Sequence, residues 1–291
     1  MRVIIVGCGY AGINAFHELK SLNIELIVIS KDEVTPFWTS FFPSMKINAV
    51  INSRKIVERN GGKFLKAEVD KIDVENRKVF LKGKEMNYDY LIIAKGGKWI
   101  LNEVREFRPS NYDYISVQAS FALIKRGVKV KYCGEPMINF GKKTREIIKE
   151  ELSKSGVSFN CEGGNYFADW KGEEFEVDEK LRYKGYDDVY VAGDAINYKV
   201  KVGELAMRTG KAVGKNVAGA ITGEGTFPFK PIFVNIIDEF TSFRAIRIKS
   251  DVPFGGNVEE VSIGIFPKIA KSFIRFYYPM FGFKMGALER I

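Results

Sequence analysis

The chain opens with MRVIIVGCGYAGINAFHELK, and this stretch restricts the fold more than anything that follows. Val3 to Val6 form an unbroken apolar run, as in a strand buried on both faces. Gly7-Cys8-Gly9-Tyr10-Ala11-Gly12 follows, then a helical pattern through Leu19 and a second apolar strand, IELIVIS. That order predicts a βαβ unit whose helix N-terminus faces a dinucleotide. Gly7 permits the tight turn, Gly9 lets a pyrophosphate approach the backbone, and Gly12 lets helix and strand pack closely. The free amides around Tyr10 and Ala11 then face the phosphates. An acidic residue usually closes the second strand and binds the ribose. Here Ser30 stands in that place, followed by Lys31, Asp32 and Glu33, so the ribose ligand is either the serine hydroxyl or Asp32.

A second fingerprint lies far downstream. VYVAGD reads as an apolar strand ending in Gly193-Asp194, with Lys201 at the start of a long helix from about Val202 to Ile221. Between the two fingerprints, FLKAEVDKIDVENRKVFLKGKEMNYDYLIIAKGG alternates as a β-meander does. With 46% hydrophobic residues over 291 positions, the chain can fill a sizeable core. The net charge of +9 favours polyanions or an anionic membrane surface. No zinc spacing, RNA-binding aromatic signature or helix-turn-helix pattern supports nucleic acid. Three cysteines are too few for a disulfide framework and suit a reducing cytoplasm. The N-terminus runs straight into a strand, unlike a signal peptide, and no apolar run approaches the ~18–20 residues of a spanning helix. The single histidine, His17, falls inside the first helix and reads as structural, so serine-histidine catalysis and a metal site are not expected.

The ordered motifs resemble FAD-dependent enzymes with two dinucleotide-binding domains, in particular the sulfide:quinone oxidoreductase, flavocytochrome c sulfide dehydrogenase and type II NADH dehydrogenase group. The resemblance implies an α/β, FAD-binding Rossmann-like fold with Asp194 on the ribityl chain. The helix after it aims at the pyrimidine edge of the flavin, where Lys201 adds positive charge. It implies an adenine contact through the backbone of Val69 on a strand, and a third short motif at Ala94, Lys95 and Gly96, with Lys95 where threonine is usual. TPFWTSFFPSM is similar to a loop beside the isoalloxazine, here Pro36, Phe37, Trp38 and Thr39. VKYCGEP resembles a strand-end Cys-x-x-Pro that carries a redox cysteine, here Cys133.

Two departures stand out. Only about ninety residues separate AKGG from VYVAGD, and no second Gly-x-Gly-x-x-Gly follows VKVKYC, so NAD(P)H binding in the usual manner is not expected. The other redox cysteine of the sulfide oxidoreductases is absent near FPFKPIFVNI. What remains reads as a truncated second βαβ unit: a helix around Ala119–Lys125, a strand Val128–Cys133, a helix Lys142–Ser155 and a strand Val157–Cys161. If its strands are neighbours, Cys133 and Cys161 share one edge and could meet, as a redox or donor-binding pair or as inert thiols.

The expected organisation is an FAD-binding part over 1–105, a reduced NAD(P)-like part over 106–180, the returning FAD-binding part over 181–225, and a C-terminal hairpin and tail over 226–291. Phe233 and Phe240 are placed beside the flavin ring. The tail from Phe266 mixes aromatics with Lys268, Lys271, Arg275, Lys284 and Arg290 against the single acid Glu289. Two short helices broken at Pro279 would sink rings into lipid while their cations meet anionic headgroups, or the rings cover the core or a homodimer partner. The resulting expectation is an oxidoreductase on the inner face of the cell membrane, passing electrons from a small reduced-sulfur donor through FAD to quinone. The alternatives are a reduced type II NADH dehydrogenase relative and a non-catalytic FAD-binding subunit.

Overall fold

The structure, a computed structural model, describes residues 1–44, 46, 49–239, 241–282 and 284–285. The opening unit forms as expected: β1 (Arg2–Val6), α1 (Tyr10–Leu19) and β2 (Glu25–Ser30), with β1 and β2 parallel. A short antiparallel pair, β3 (Val34–Pro36) and β4 (Val50–Asn52), brackets α2 (Phe41–Ser44). Then come α3 (Ser53–Arg59), β5 (Lys63–Lys66), and a meander of β6 (Lys71–Asp73), β7 (Lys78–Leu81) and β8 (Lys84–Asn87), leading into β9 (Tyr90–Ile93). The middle of the chain carries β10 (Lys98–Leu101), β11 (Glu106–Phe107), α4 (Asp113–Lys125), β12 (Lys131–Tyr132), α5 (Lys142–Lys154) and β13 (Ala168–Lys171). It returns through β14 (Val189–Val191) and α6 (Gly203–Thr222). The C-terminal sheet is β15 (Phe233–Ile237), β16 (Ala245–Ser250) and β17 (Glu259–Gly264), followed by α7 (Ile265–Met280).

The central sheet runs β14-β9-β1-β2-β5, all parallel, so its strands are apolar without alternation: Val3, Ile4, Ile5, Ile27, Val28, Leu91 and Ile92 have no exposure. Helices α1 and α6 cross in close contact because position 210 is glycine; a Cβ there would lie 2.1 Å from the carbonyl oxygen of Ala11. β1 has β9 on one side and β2 on the other, which puts a crevice at the C-terminal edge of the sheet.

A second core is shared. Phe107, Phe121, Tyr132, Ile148 and Leu152 from the middle of the chain pack with Phe233, Ile237, Ile246 and Ile248 from the C-terminal sheet. The core of the middle unit is thus completed by residues of the C-terminal sheet. Phe233 is therefore a fully buried core residue rather than a flavin neighbour, and Phe240 lies outside the described residues.

Several local expectations change. Helix α4 begins six residues before Ala119, at Asp113, whose buried carboxylate accepts from the Tyr132 hydroxyl and the Met137 amide, a tertiary tie that periodicity does not show. The expected strands 128–133 and 157–161 shrink to β12 and a single Lys131–Ser158 bridge, because the Cys161 amide turns back to the Phe159 carbonyl. Val69 sits between β5 and β6, not on a strand. Pro279 does not split the tail, since it falls one residue before the end of α7, where little of the helical hydrogen-bond ladder remains to be lost. Phe283, Glu289 and Arg290 lie outside the described residues.

Candidate functional site

A cavity of about 690 Å3 runs along the C-terminal edge of the parallel sheet, within the size range of cofactor sites. At one end its wall is the glycine turn, Gly7, Gly9, Tyr10 and Ala11, beside Ser30, Lys31 and Asp32 at the end of β2. Gly7 has φ +101° and faces the Ala94 carbonyl at a distance no side chain fits, whereas a Cβ at Gly9 would meet nothing within 4 Å. The α1 N-terminus has no side-chain cap and no acid in its first turn, so its free amides point into the open space. Gly12 lies under the turn, outside the cavity wall, against the Gly7 carbonyl.

Val69, Ala94, Lys95 and Gly96 line the same cavity, as do Pro36, Phe37, Trp38 and Thr39. Tyr10 fixes that loop: its hydroxyl donates to the Pro36 carbonyl (3.2 Å) and accepts from the Trp38 amide (3.0 Å), and burial pushes its phenol well up. The Lys95 ammonium pairs with Glu173 and lies over the Phe175 ring.

Gly193, Asp194 and Lys201 close the middle of the wall. Burial raises the Asp194 carboxyl to about 6, with Lys201 opposing the rise. Lys201 is buried and fully engaged, donating to the carbonyls of Asp194 (3.0 Å) and Ile196 (2.8 Å), pairing with Glu174 (2.5 Å) and lying 4.4 Å from the Trp170 ring centroid. It is a fixed positive group beside the N-terminus of α6, whose dipole has the same sign there.

Another part of the wall holds a cluster that sequence reasoning missed. Lys271, Ile274 and Tyr278 of α7 and Asn235 and Ile236 of β15 line the cavity there. Behind them Asp238 and Glu239 are buried together. Burial alone would raise Asp238, but Arg275 (2.6 and 2.8 Å), Lys271 and Lys268 (3.1 Å) outweigh it and hold the carboxyl down at about 2. Glu239 goes the other way, pushed up to about 7 chiefly by burial. Burial also lowers the Lys271 ammonium. Two adjacent acids are thus forced apart in acidity, as in paired proton-handling sites. The readable signal was the spacing 268, 271, 275, one helix face, opposite an acid pair that ends an apolar strand. Another missed feature is the Asn235 amide donating to Gln118 on α4 (3.1 Å), which joins the two walls of the cavity.

In the tail, Lys268 and Arg275 pair with Asp238, and Lys271 is buried beside Asp238 and Glu239, while Lys284 is exposed. The outward face is apolar, with Phe266 82% and Phe276 64% exposed beside Ile265, Ile269, Phe273 and Met280. Beyond α7 the chain returns to α1, where the Gly282 carbonyl meets His17 and the Met285 amide donates to Asn14. No helix among the described residues is long and apolar enough to cross a membrane.

Cys133 and Cys161 meet, one of the arrangements their shared edge allows. They are joined as a disulfide, Cα atoms 5.0 Å apart, but neither lines the cavity. Cys8 does line it, buried, with its thiol pushed up to about 12 by burial, which makes it a poor nucleophile. Among the described residues no cluster could hold a metal.

The open glycine turn, the uncapped helix start and the aspartate at the ribityl position fit FAD. Residues 1–111 match the family model described as pyridine nucleotide-disulphide oxidoreductase. The chain is 30% identical over 115 residues to the external alternative NAD(P)H-ubiquinone oxidoreductase B4 of Arabidopsis thaliana, a match over 33% of this chain and 19% of that protein. Its fold superposes on the sulfide:quinone oxidoreductase of Aquifex aeolicus with a TM-score of 0.77 at 14% identity, covering 95% of this chain and 90% of that one. A NAD-dependent persulfide reductase from A. fulgidus gives 0.62 at 15% identity, covering 85% and 64%. The fold, the family match over residues 1–111 and the cavity give the chain the architecture of FAD-binding proteins of the two-dinucleotide-binding type. Within that class the chain follows the fold of sulfide:quinone oxidoreductase over nearly its whole length.

Proposed function

We propose that the protein oxidises a small reduced-sulfur donor and passes the electrons to a quinone at the part of the cavity lined by α7. The observation that carries this reading is the continuity of the cavity from the glycine turn to Lys271, Ile274 and Tyr278, beside a buried acid whose acidity burial sets near neutral. Bound FAD supplies two-electron redox chemistry between donor and acceptor. The glycine turn and α1 amides hold its pyrophosphate, Asp194 its ribityl chain, and the Tyr10-anchored loop at Trp38 keeps water from its ring. Lys201 and the α6 N-terminus favour negative charge on that side. A quinone takes up protons as it is reduced, and Glu239, buried behind Lys271 in the cavity wall, can hold one.

The exposed apolar face of α7 suits the headgroup region of a bilayer, here the cytoplasmic face of the cell membrane, where quinone is dissolved. The disulfide lies outside the cavity, so the donor meets the ring without it. The test is anaerobic mixing of the FAD-loaded protein with sulfide, followed by addition of decylubiquinone. Flavin bleaching and then recovery is expected; flavin that stays oxidised in sulfide overturns the donor, and bleached flavin that quinone does not restore overturns the acceptor.

A further inference from the structure

Helix α5 leaves the C-terminal end of β12, and the chain after it returns parallel to β12 at the Lys131–Ser158 bridge. In a dinucleotide-binding βαβ unit the pyrophosphate rests on the free amides at the start of such a helix. Here those amides are taken. The carboxylate of Glu259, on β17, accepts from the Lys143 amide at 3.2 Å through one oxygen and from the Thr144 amide at 3.0 Å through the other. α5 has no side-chain cap of its own, and Gly141 precedes it. A Cβ at Gly141 would lie 2.3 Å from Glu259 Oε2, so the carboxylate fills the space over that glycine. The turn before the helix carries Glu135, paired with Lys149, and Lys142 pairs with Glu146 (3.7 Å).

We infer that Glu259 closes the second βαβ unit to phosphate-bearing electron donors and so fixes the donor class as one without a dinucleotide, an inference that rests on the proposed FAD-dependent electron transfer. The carboxylate makes charge-assisted bonds at the positive end of a helix, the same interaction a pyrophosphate would make. A dinucleotide has to displace it and then bring its own negative charge against Glu259 and Glu135. The plug also has a structural share, because it pins β17, and with it the C-terminal sheet, to the unit whose core that sheet completes.

The experiment uses the full chain loaded with FAD, kept anaerobic. NADH and NADPH in millimolar excess are expected to leave the flavin oxidised over the interval in which sulfide, or dithionite as control, bleaches it completely. Inorganic pyrophosphate is the binding probe, read by calorimetry. No saturable binding is expected in the wild type, Glu259→Ala should gain at least about a tenfold increase in affinity, and Glu259→Gln should lie between, carrying the test if the alanine variant does not fold. Bleaching of the wild type by NADH as fast as by sulfide, or equal pyrophosphate affinity in wild type and variants, overturns the inference. If sulfide and NADH both fail while dithionite succeeds and the variants gain pyrophosphate binding, the closure stands and the sulfur donor falls.

Discussion

The parallel sheet at the start of the chain and the reduced unit in its middle solve the same problem with unequal means. The first has five strands, including the returning β14, a core that α6 and the tail join, and a glycine turn whose helix end is open to a ligand. The second has strands two residues long, borrows its core from the C-terminal sheet, is tied by a disulfide, and has its helix end filled by Glu259. A dinucleotide site needs free amides above a self-supporting sheet. Once the sheet is cut down, the contacts that rescue its stability occupy the ligand's place.

The sharpest break in that comparison is Gly7→Val, which puts a branched side chain at positive φ against the Ala94 carbonyl. The purified variant should hold no flavin, read as absorbance per protein. Phe107→Ala, fully buried in the second core, should instead lower stability by about 3–5 kcal/mol in urea while the folded protein keeps its FAD. Equal flavin loss in both would mean the two regions are not separable.

The disulfide ranks next. It closes a separation of 28 residues, which loop-closure entropy values at about 3–4 kcal/mol. Cys133→Ser should therefore melt earlier yet keep its rate of flavin reduction by sulfide, because the pair is outside the cavity. A variant that folds but has lost that rate would return the disulfide to the chemistry.

At the part of the cavity wall formed by α7 the effects are pH-dependent and smaller. Glu239 is raised from 4.5 to about 7, so the folded protein keeps a proton that the unfolded chain releases; the stability this contributes is complete below about 4.5 and lost as pH rises through 7. Asp238 is lowered from 3.8 to about 2, and its contribution is present above 3.8 and lost as pH falls toward 2. Quinone reduction should decline as Glu239 deprotonates through about 7, and Glu239→Gln should remove that inflection from the pH profile. The smallest change concerns the outer face of α7. Phe266→Ser with Phe276→Ser should reduce co-sedimentation with vesicles several-fold without altering flavin content, and wild-type binding should depend little on anionic lipid, since Lys268 and Arg275 pair with Asp238 and Lys271 is buried.

Much of the first region was legible because its signals are local. Gly7 to Gly12, the apolar strands beside them and Gly193-Asp194 each specify backbone geometry within a few residues, and Gly7 to Ala11 and Gly193-Asp194 line one cavity. The second region was misread at its edges for the opposite reason. Val128 to Cys133 has the composition of a longer strand, but how far a strand runs depends on its neighbour, and the neighbour here is two residues long. The tail showed its amphipathic pattern but not its polarity, because a row of cations looks the same whether it faces lipid or a buried acid pair about thirty residues upstream.

By itself the sequence determined an α/β fold that opens on a glycine turn of the dinucleotide-binding kind, since glycine spacing and apolar runs act through the backbone they belong to. Only the tertiary structure decided where the sulfur atoms lie, which way the basic face of the last helix points, and that Glu259 occupies the second helix end. Each of those depends on residues far apart in the chain arriving at one place, and burial there, not identity, sets their charge and their access.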